Sequence, residues 1–164
     1  MTVSLITGLS PVLYLHLWAA LAAIALGPVA LYRRRRDRWH KLAGYAWVSA
    51  MALVAGGSFW LEAHVVPLAF GLGPIHGLSA CVLVALWLGV AAARAGQVRR
   101  HSAQMRALYW QALLVAGLFT PLPGRLVNAA LFPASPALGY AAIAGLAAVF
   151  SWLSLRRRRA PPAG

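Results

Sequence analysis

Five apolar stretches, roughly residues 12–32, 42–62, 74–95, 107–132 and 137–155, alternate with gaps that hold nearly all the basic residues. A hydrocarbon core of about 30 Å is crossed by about 20 residues of helix, and each stretch is near that length. Lipid offers no hydrogen bonds, so a chain of this kind closes its backbone bonds within helices. The predicted fold is therefore all-α, a polytopic transmembrane helix bundle of five spans. The first four form its core and the fifth packs at the periphery, in one transmembrane domain over residues 1–164.

With 62% hydrophobic and 10% charged residues, the chain cannot be kept soluble around an ordinary globular core. Its formal net charge of +13 would suit a polyanion, yet the cations fall in three clusters beside the spans. These are Arg33–Arg36 with Arg38 and Lys41, then Arg94, Arg99, Arg100 and Arg106, then Arg156–Arg159. The positive-inside rule explains them, so the expected partner is the lipid bilayer and not nucleic acid. All three clusters share the cytoplasm when the N-terminus is outside, the C-terminus is cytoplasmic and the number of spans is odd. Leu61 to Gly73 and Phe132 to Pro136 then face outward, and Arg125 is the one Lys or Arg of the outer half.

Met1 to Pro11 lacks the basic start and cleavage pattern of a secretory leader and is expected to lead into the first span. The lone Cys81 excludes an intrachain disulfide and is expected to be a buried small residue. Runs such as Ala19–Ala23 and Ala91–Ala93 are expected to let helix backbones approach closely. In the fourth span, Pro121, Pro123 and Gly124 should kink or break the helix, because two prolines remove neighbouring donors. Arg125 follows at the outer interface, where it either snorkels to the headgroups or balances an acidic group between helices.

Histidine depth is the most informative chemical signal. His16 and His76 fall near the outer ends of spans one and three, and His40 and His101 near the inner ends of spans two and four. A b-type haem needs two imidazoles facing each other from different helices at matching depth, and a bundle core can supply them. An outer pair, His16 with His76, and an inner pair, His40 with His101, both meet that condition, the outer pair ranking first. Interfacial histidines bonded to headgroups or carbonyls are the alternative. Glu62 and His64 form a further candidate, as a divalent-metal ligand set or a proton relay to a quinone.

The residues His16, Gly27-Pro28, His40-Lys41-Leu42-Ala43-Gly44-Tyr45-Ala46-Trp47 and His101 with Met105 resemble the pattern of a bacterial membrane-protein family called domain of unknown function 2306. The resemblance covers most of residues 12–130. Gln104 stands where that family carries a tryptophan, and Arg106 is out of step with its following arginine. The resemblance implies a multi-pass protein of the bacterial inner membrane. The interleaving of histidines between helices one and three and helices two and four is similar, more loosely, to transmembrane diheme b-type cytochromes that take electrons from ascorbate or quinol.

That likeness implies one or two b haems, outer-sphere electron transfer, and quinone or other membrane redox subunits as partners. Arg125 would serve the propionates of the outer ring, and Arg38 or Arg106 those of the inner. Tyr45, Trp47 and Trp110 are expected to be interfacial anchors rather than ring partners. The rival expectation is a cofactor-free structural or assembly subunit of a larger membrane complex. Hydrolase and kinase motifs are absent from the sequence.

Overall fold

The structure is a computed structural model that describes residues 10–33, 35–61 and 73–159. Among these residues the chain is all-α, with six α-helices and one short 3-10 helix. We label them α1 (Pro11–Tyr32), α2 (Arg38–Gly57), α3 (Pro74–Arg94), α4 (Val98–Phe119), α5 (Leu126–Leu131) and α6 (Leu138–Arg159). The 3-10 turn Ser58–Trp60 extends α2. Two compact units result, Met1–Trp110 and Gln111–Gly164.

Among the described residues three helical segments, not five, are long and apolar enough to cross a membrane: Pro11–Tyr32, Arg38–Trp60 and Ile75–Arg94. The expected fourth span fails for two reasons. Its helix begins at Val98, so Arg99, Arg100 and Arg106 occupy its first half. It then ends at Phe119, and the Thr120–Arg125 turn separates it from the six-residue α5. In place of the expected fifth span, the described residues give a shorter apolar helical stretch, Leu138–Val149, within α6. The four-helix core with a peripheral fifth span is therefore replaced by three long apolar helices within six.

Each of the first helices starts where its sequence supplies a cap. Ser10 accepts a hydrogen bond from Leu13 N–H at 3.3 Å, and Pro11 occupies the first turn of α1, where a missing N–H costs nothing. Asp37 caps α2 by accepting from His40 N–H at 3.0 Å. It also receives Arg33 Nε at 3.0 Å and Arg33 Nη2 at 2.6 Å, so one carboxylate ties the end of α1 to the start of α2. The Arg33 guanidinium and the His40 amide hold the Asp37 carboxyl well below its ordinary range. Asp37 is thus the ion-pair partner within its own arginine run.

Packing of α1 puts small side chains inside and large apolar ones outside, as expected where lipid replaces water. On α1 the buried residues are Ala19, Ala23, Gly27 and Ala30, one face at spacings of three and four. Leu15, Trp18, Leu21 and Val29 are exposed on the same helix. The small face gives α1 and α2 the closest helix packing in the unit. Cys81 is exposed rather than buried, because it lies on the side of α3 opposite the buried Ser79 and Leu86.

The Gly27-Pro28 pair sets how α4 meets α1. Pro28 has no N–H, so the Ile24 carbonyl four residues earlier loses its helical donor. Tyr109 of α4 fills that vacancy, its hydroxyl donating to Ile24 O at 3.1 Å. Gly27 admits the ring, since a Cβ there would overlap Tyr109. Tyr109 also meets Trp47 of α2 edge to face, with ring centroids 6.3 Å apart. Trp47 is 1% exposed, so it is a core residue and not the interfacial anchor expected, whereas Tyr45 and Trp110 are exposed.

In the second unit, the break at Pro121, Pro123 and Gly124 is complete. Gly124 takes φ +82°, a left-handed turn that favours glycine, and α5 starts two residues later. Asn128, 1% exposed, donates to the Pro121 carbonyl at 2.6 Å and to the Pro136 carbonyl at 2.9 Å. Gly139 lets the start of α6 approach the same place, since a Cβ there would overlap Pro121 O and the Asn128 amide.

Candidate functional site

The histidines divide between the two ends of the first unit. His16 of α1 and His76 of α3 both lie at the C-terminal end of α2. A Cβ on Gly57 would stand 3.9 Å from His16 Nδ1, and the His16 ring lies against the Val54 backbone. His76 Nε2 is 3.2 Å from the Leu61 carbonyl, and its ring centroid is 5.7 Å from that of Phe59. Both therefore stand at one end of the first unit.

Their rings are not equivalent. His76 is 4% exposed, and its Nδ1 accepts the Gly73 N–H at 2.9 Å at the start of α3. Because Nδ1 accepts, Nε2 carries the proton and donates to Leu61 O. Both ring nitrogens are thus used, Nδ1 at the start of α3 and Nε2 at the turn that ends α2. His16 differs, since its buried Nδ1 has no hydrogen-bond partner. Nearby, the Ser58 and Ser79 hydroxyls lie 2.7 Å apart, and each reaches a carbonyl one turn back, Ala55 O at 2.7 Å and Ile75 O at 3.0 Å.

At the other end stand His40, in the first turn of α2, and His101, in the first turn of α4. His101 Nδ1 lies 2.8 Å from the Gly89 carbonyl of α3. A carbonyl only accepts, so Nδ1 carries the proton and Nε2 keeps its lone pair. Gln104 continues this contact one turn on, donating to Ala85 O at 3.0 Å, and a Cβ on Gly89 would overlap Met105. His101, Gln104 and Met105 thus form the face by which α4 meets α3. His40 has a buried Nδ1 without a partner, as has Trp47 at Nε1.

The Trp47–Tyr109 contact fixes the register of α2 against α4. His40 stands seven residues before Trp47, and His101 eight before Tyr109, roughly 10 and 12 Å of helix rise toward the basic end. The inner pair is therefore at comparable depth on two helices in ring contact. Spacing alone could not reveal Trp47 and Tyr109 in this role. The usable signal was Pro28, which announces an unpaired carbonyl four residues back and hence a need for a donor.

The expected cations are distributed unevenly. Arg38 is exposed beside His40, with its guanidinium carbon 5.5 Å from the centre of the Trp39 ring. Arg106 is exposed and folds back on its own helix, donating from Nε to Ser102 O at 3.1 Å. Arg125 belongs to the second unit, at the N-cap of α5, where its Nε is buried without a partner. Glu62 and His64 lie outside the described residues. Among the described residues, no group of three His, Cys, Asp or Glu side chains is placed to hold a metal ion.

Comparison with known proteins gives one match. The family model described as "Predicted membrane protein (DUF2306)" matches residues 13–155. No curated protein and no solved structure matches the chain.

Proposed function

From the premise that the chain belongs to the DUF2306 family of predicted bacterial integral membrane proteins, we propose that it is a b-type haem module for electron transfer within the bilayer, with His40 and His101 as its axial pair. The observation that carries this reading is the bond from His101 Nδ1–H to Gly89 O. A histidine that ligates a metal usually gives its other ring N–H to a carbonyl or carboxylate, which fixes the tautomer and aims the free nitrogen. His40 adds a buried ring nitrogen with no competing partner. These two residues fit the group; His76, with both nitrogens engaged, fits it less well, which reverses the ranking suggested by depth alone. His16 retains a free nitrogen and is the candidate for any second haem.

When bound, the haem would supply one-electron redox chemistry. The chain would contribute two imidazoles, an apolar sleeve that excludes water, and the exposed cation Arg38 for a propionate. Trp47 Nε1, buried two turns from His40, would offer a donor on the same face of α2. Likeness to diheme cytochromes supports the reading only as a pattern of histidines. We place the two clusters at 33–41 and 94–106 on the cytoplasmic side and the N-terminus outside, with the three apolar helices crossing between. Arg156–Arg159 falls on the cytoplasmic side by the same rule. A quinol or a neighbouring redox subunit would be the electron donor.

Purification after expression with ample haem, followed by a reduced-minus-oxidised visible spectrum and pyridine-haemochrome quantitation, tests the proposal. The expected result is a b-type spectrum that His101→Ala abolishes and His76→Ala retains. A colourless protein of normal fold would overturn it and favour a cofactor-free assembly subunit.

A further inference from the structure

An open groove runs between α1 and α2 at the basic end of the first unit, on the surface and apart from the histidines. Its walls are apolar, with Leu26 and Val29 from α1 and Leu42, Ala43 and Ala46 from α2. Arg33 and Trp39 close one end. From Leu26 to Arg33, and from Ala46 back to Trp39, the helices rise about 10 Å, so the groove runs along the helix axes. Val29, Trp39 and Leu42 are all more than half exposed, which opens it to the surrounding lipid.

Charge at the rim is one-sided. Residues 33–41 hold six basic side chains and a single carboxylate, Asp37. Asp37 is already engaged by Nε and Nη2 of Arg33, which holds that side chain at the mouth of the groove. Among the described residues Arg38 has no carboxylate partner, and its guanidinium lies over the Trp39 ring that forms the rim. An arginine beside a tryptophan at the end of a membrane helix is suited to the headgroup layer, and arginine binds phosphate through two parallel hydrogen bonds. Basic pockets between membrane helices on the cytoplasmic side recognise anionic headgroups.

We propose that this groove seats one acyl chain of an anionic phospholipid from the bilayer, with its phosphate held at the rim by Arg38 and the remaining N–H donors of Arg33. Apolar walls without cations would not select among lipids, and cations without walls would attract anionic lipid only diffusely. The two together define a site. This inference does not require the haem reading, although both call on Arg38, and the experiment below reads lipid and not haem.

Native mass spectrometry of the purified full chain, in mixed micelles of phosphatidylglycerol and phosphatidylcholine, tests it. One phosphatidylglycerol should be retained per chain in preference to phosphatidylcholine. Arg38→Gln should lower that preference about fivefold, the effect of one cation near a membrane surface. Ala46→Trp, which fills the groove without changing charge, should abolish retention, and Val29→Trp should do the same from the opposite wall. Val84→Trp, at an exposed position on α3, should not. Equal retention of the two lipids by the unaltered protein would overturn the proposal, as would undiminished retention in both groove-filling variants. Displacement of the lipid by soluble glycerol phosphate would assign the anion to a free phosphate compound and also overturn it.

Discussion

Tyr109 and Asp37 show how single side chains repair what the backbone lacks. Tyr109 supplies the donor that Pro28 cannot, and it does so where Gly27 leaves room. Interhelical hydrogen bonds in membranes contribute modestly, because alternative partners exist in the unpacked state. Tyr109→Phe should therefore lower stability by about 0.5–2 kcal/mol, measured by unfolding in mixed micelles. Gly27→Val should cost more, because the side chain must displace the ring as well. Asp37 has a folded-state pKa depressed by Arg33 and the α2 amide. Such an acid stabilises the fold above its ordinary pKa of 3.8 and loses that contribution as pH falls toward the depressed value. Acidification below about pH 4 should lower the melting midpoint of the native chain, and that further loss should be smaller in Asp37→Ala; identical acid profiles would contradict the cap and ion-pair role.

The helical elements depend on where their polar groups are answered. The break between α4 and α5 leaves the Pro121 carbonyl free, and Asn128 meets it together with Pro136 O. Asn128→Leu should leave the buried Pro121 carbonyl without a donor, while Pro136 O keeps the Gly139 N–H, and cost about 1–3 kcal/mol, read as selective loss of amide protection in residues 126–140. At the start of α3, His76 does the work of a helix cap. His76→Ala should destabilise that end without removing haem, whereas His101→Ala should remove haem with a smaller effect on melting. The two histidines thus separate a structural role from a ligand role, and a haem content that followed His76 instead would reassign the axial pair.

For the whole molecule, the decisive question is how many times and in which direction the chain crosses the bilayer. Among the described residues three helices have the length and apolarity to cross, and both loops at their basic ends join helices at the same end of the first unit. In a background with Cys81 replaced by Ala, single cysteines introduced at Leu68 and Gln97 should label differently. An impermeant maleimide added outside should reach position 68 only. Labelling of position 97 from outside would reverse the orientation, and equal access at both would remove the crossing between them.

The sequence by itself determined the membrane class, because apolar helix length is a local property that composition and spacing report directly. It also determined the first three spans to within a few residues, the break at Pro121–Gly124, and the grouping of His16 with His76 at one end. It could not count the later spans. That depends on where α4 begins, and the start at Val98 places three arginines within the helix instead of before it. Nor could it show that His76 closes a helix while His101 keeps a free nitrogen, since both are histidines at helix starts. Only the tertiary structure brings Gly89 to one ring and Gly73 with Leu61 to the other. Trp47 was misread for the same reason: aromatic residues near span ends look like anchors until a neighbouring helix covers them. Periodicity records which residues share a face of one helix, whereas the partner across that face is chosen by packing between helices distant in sequence.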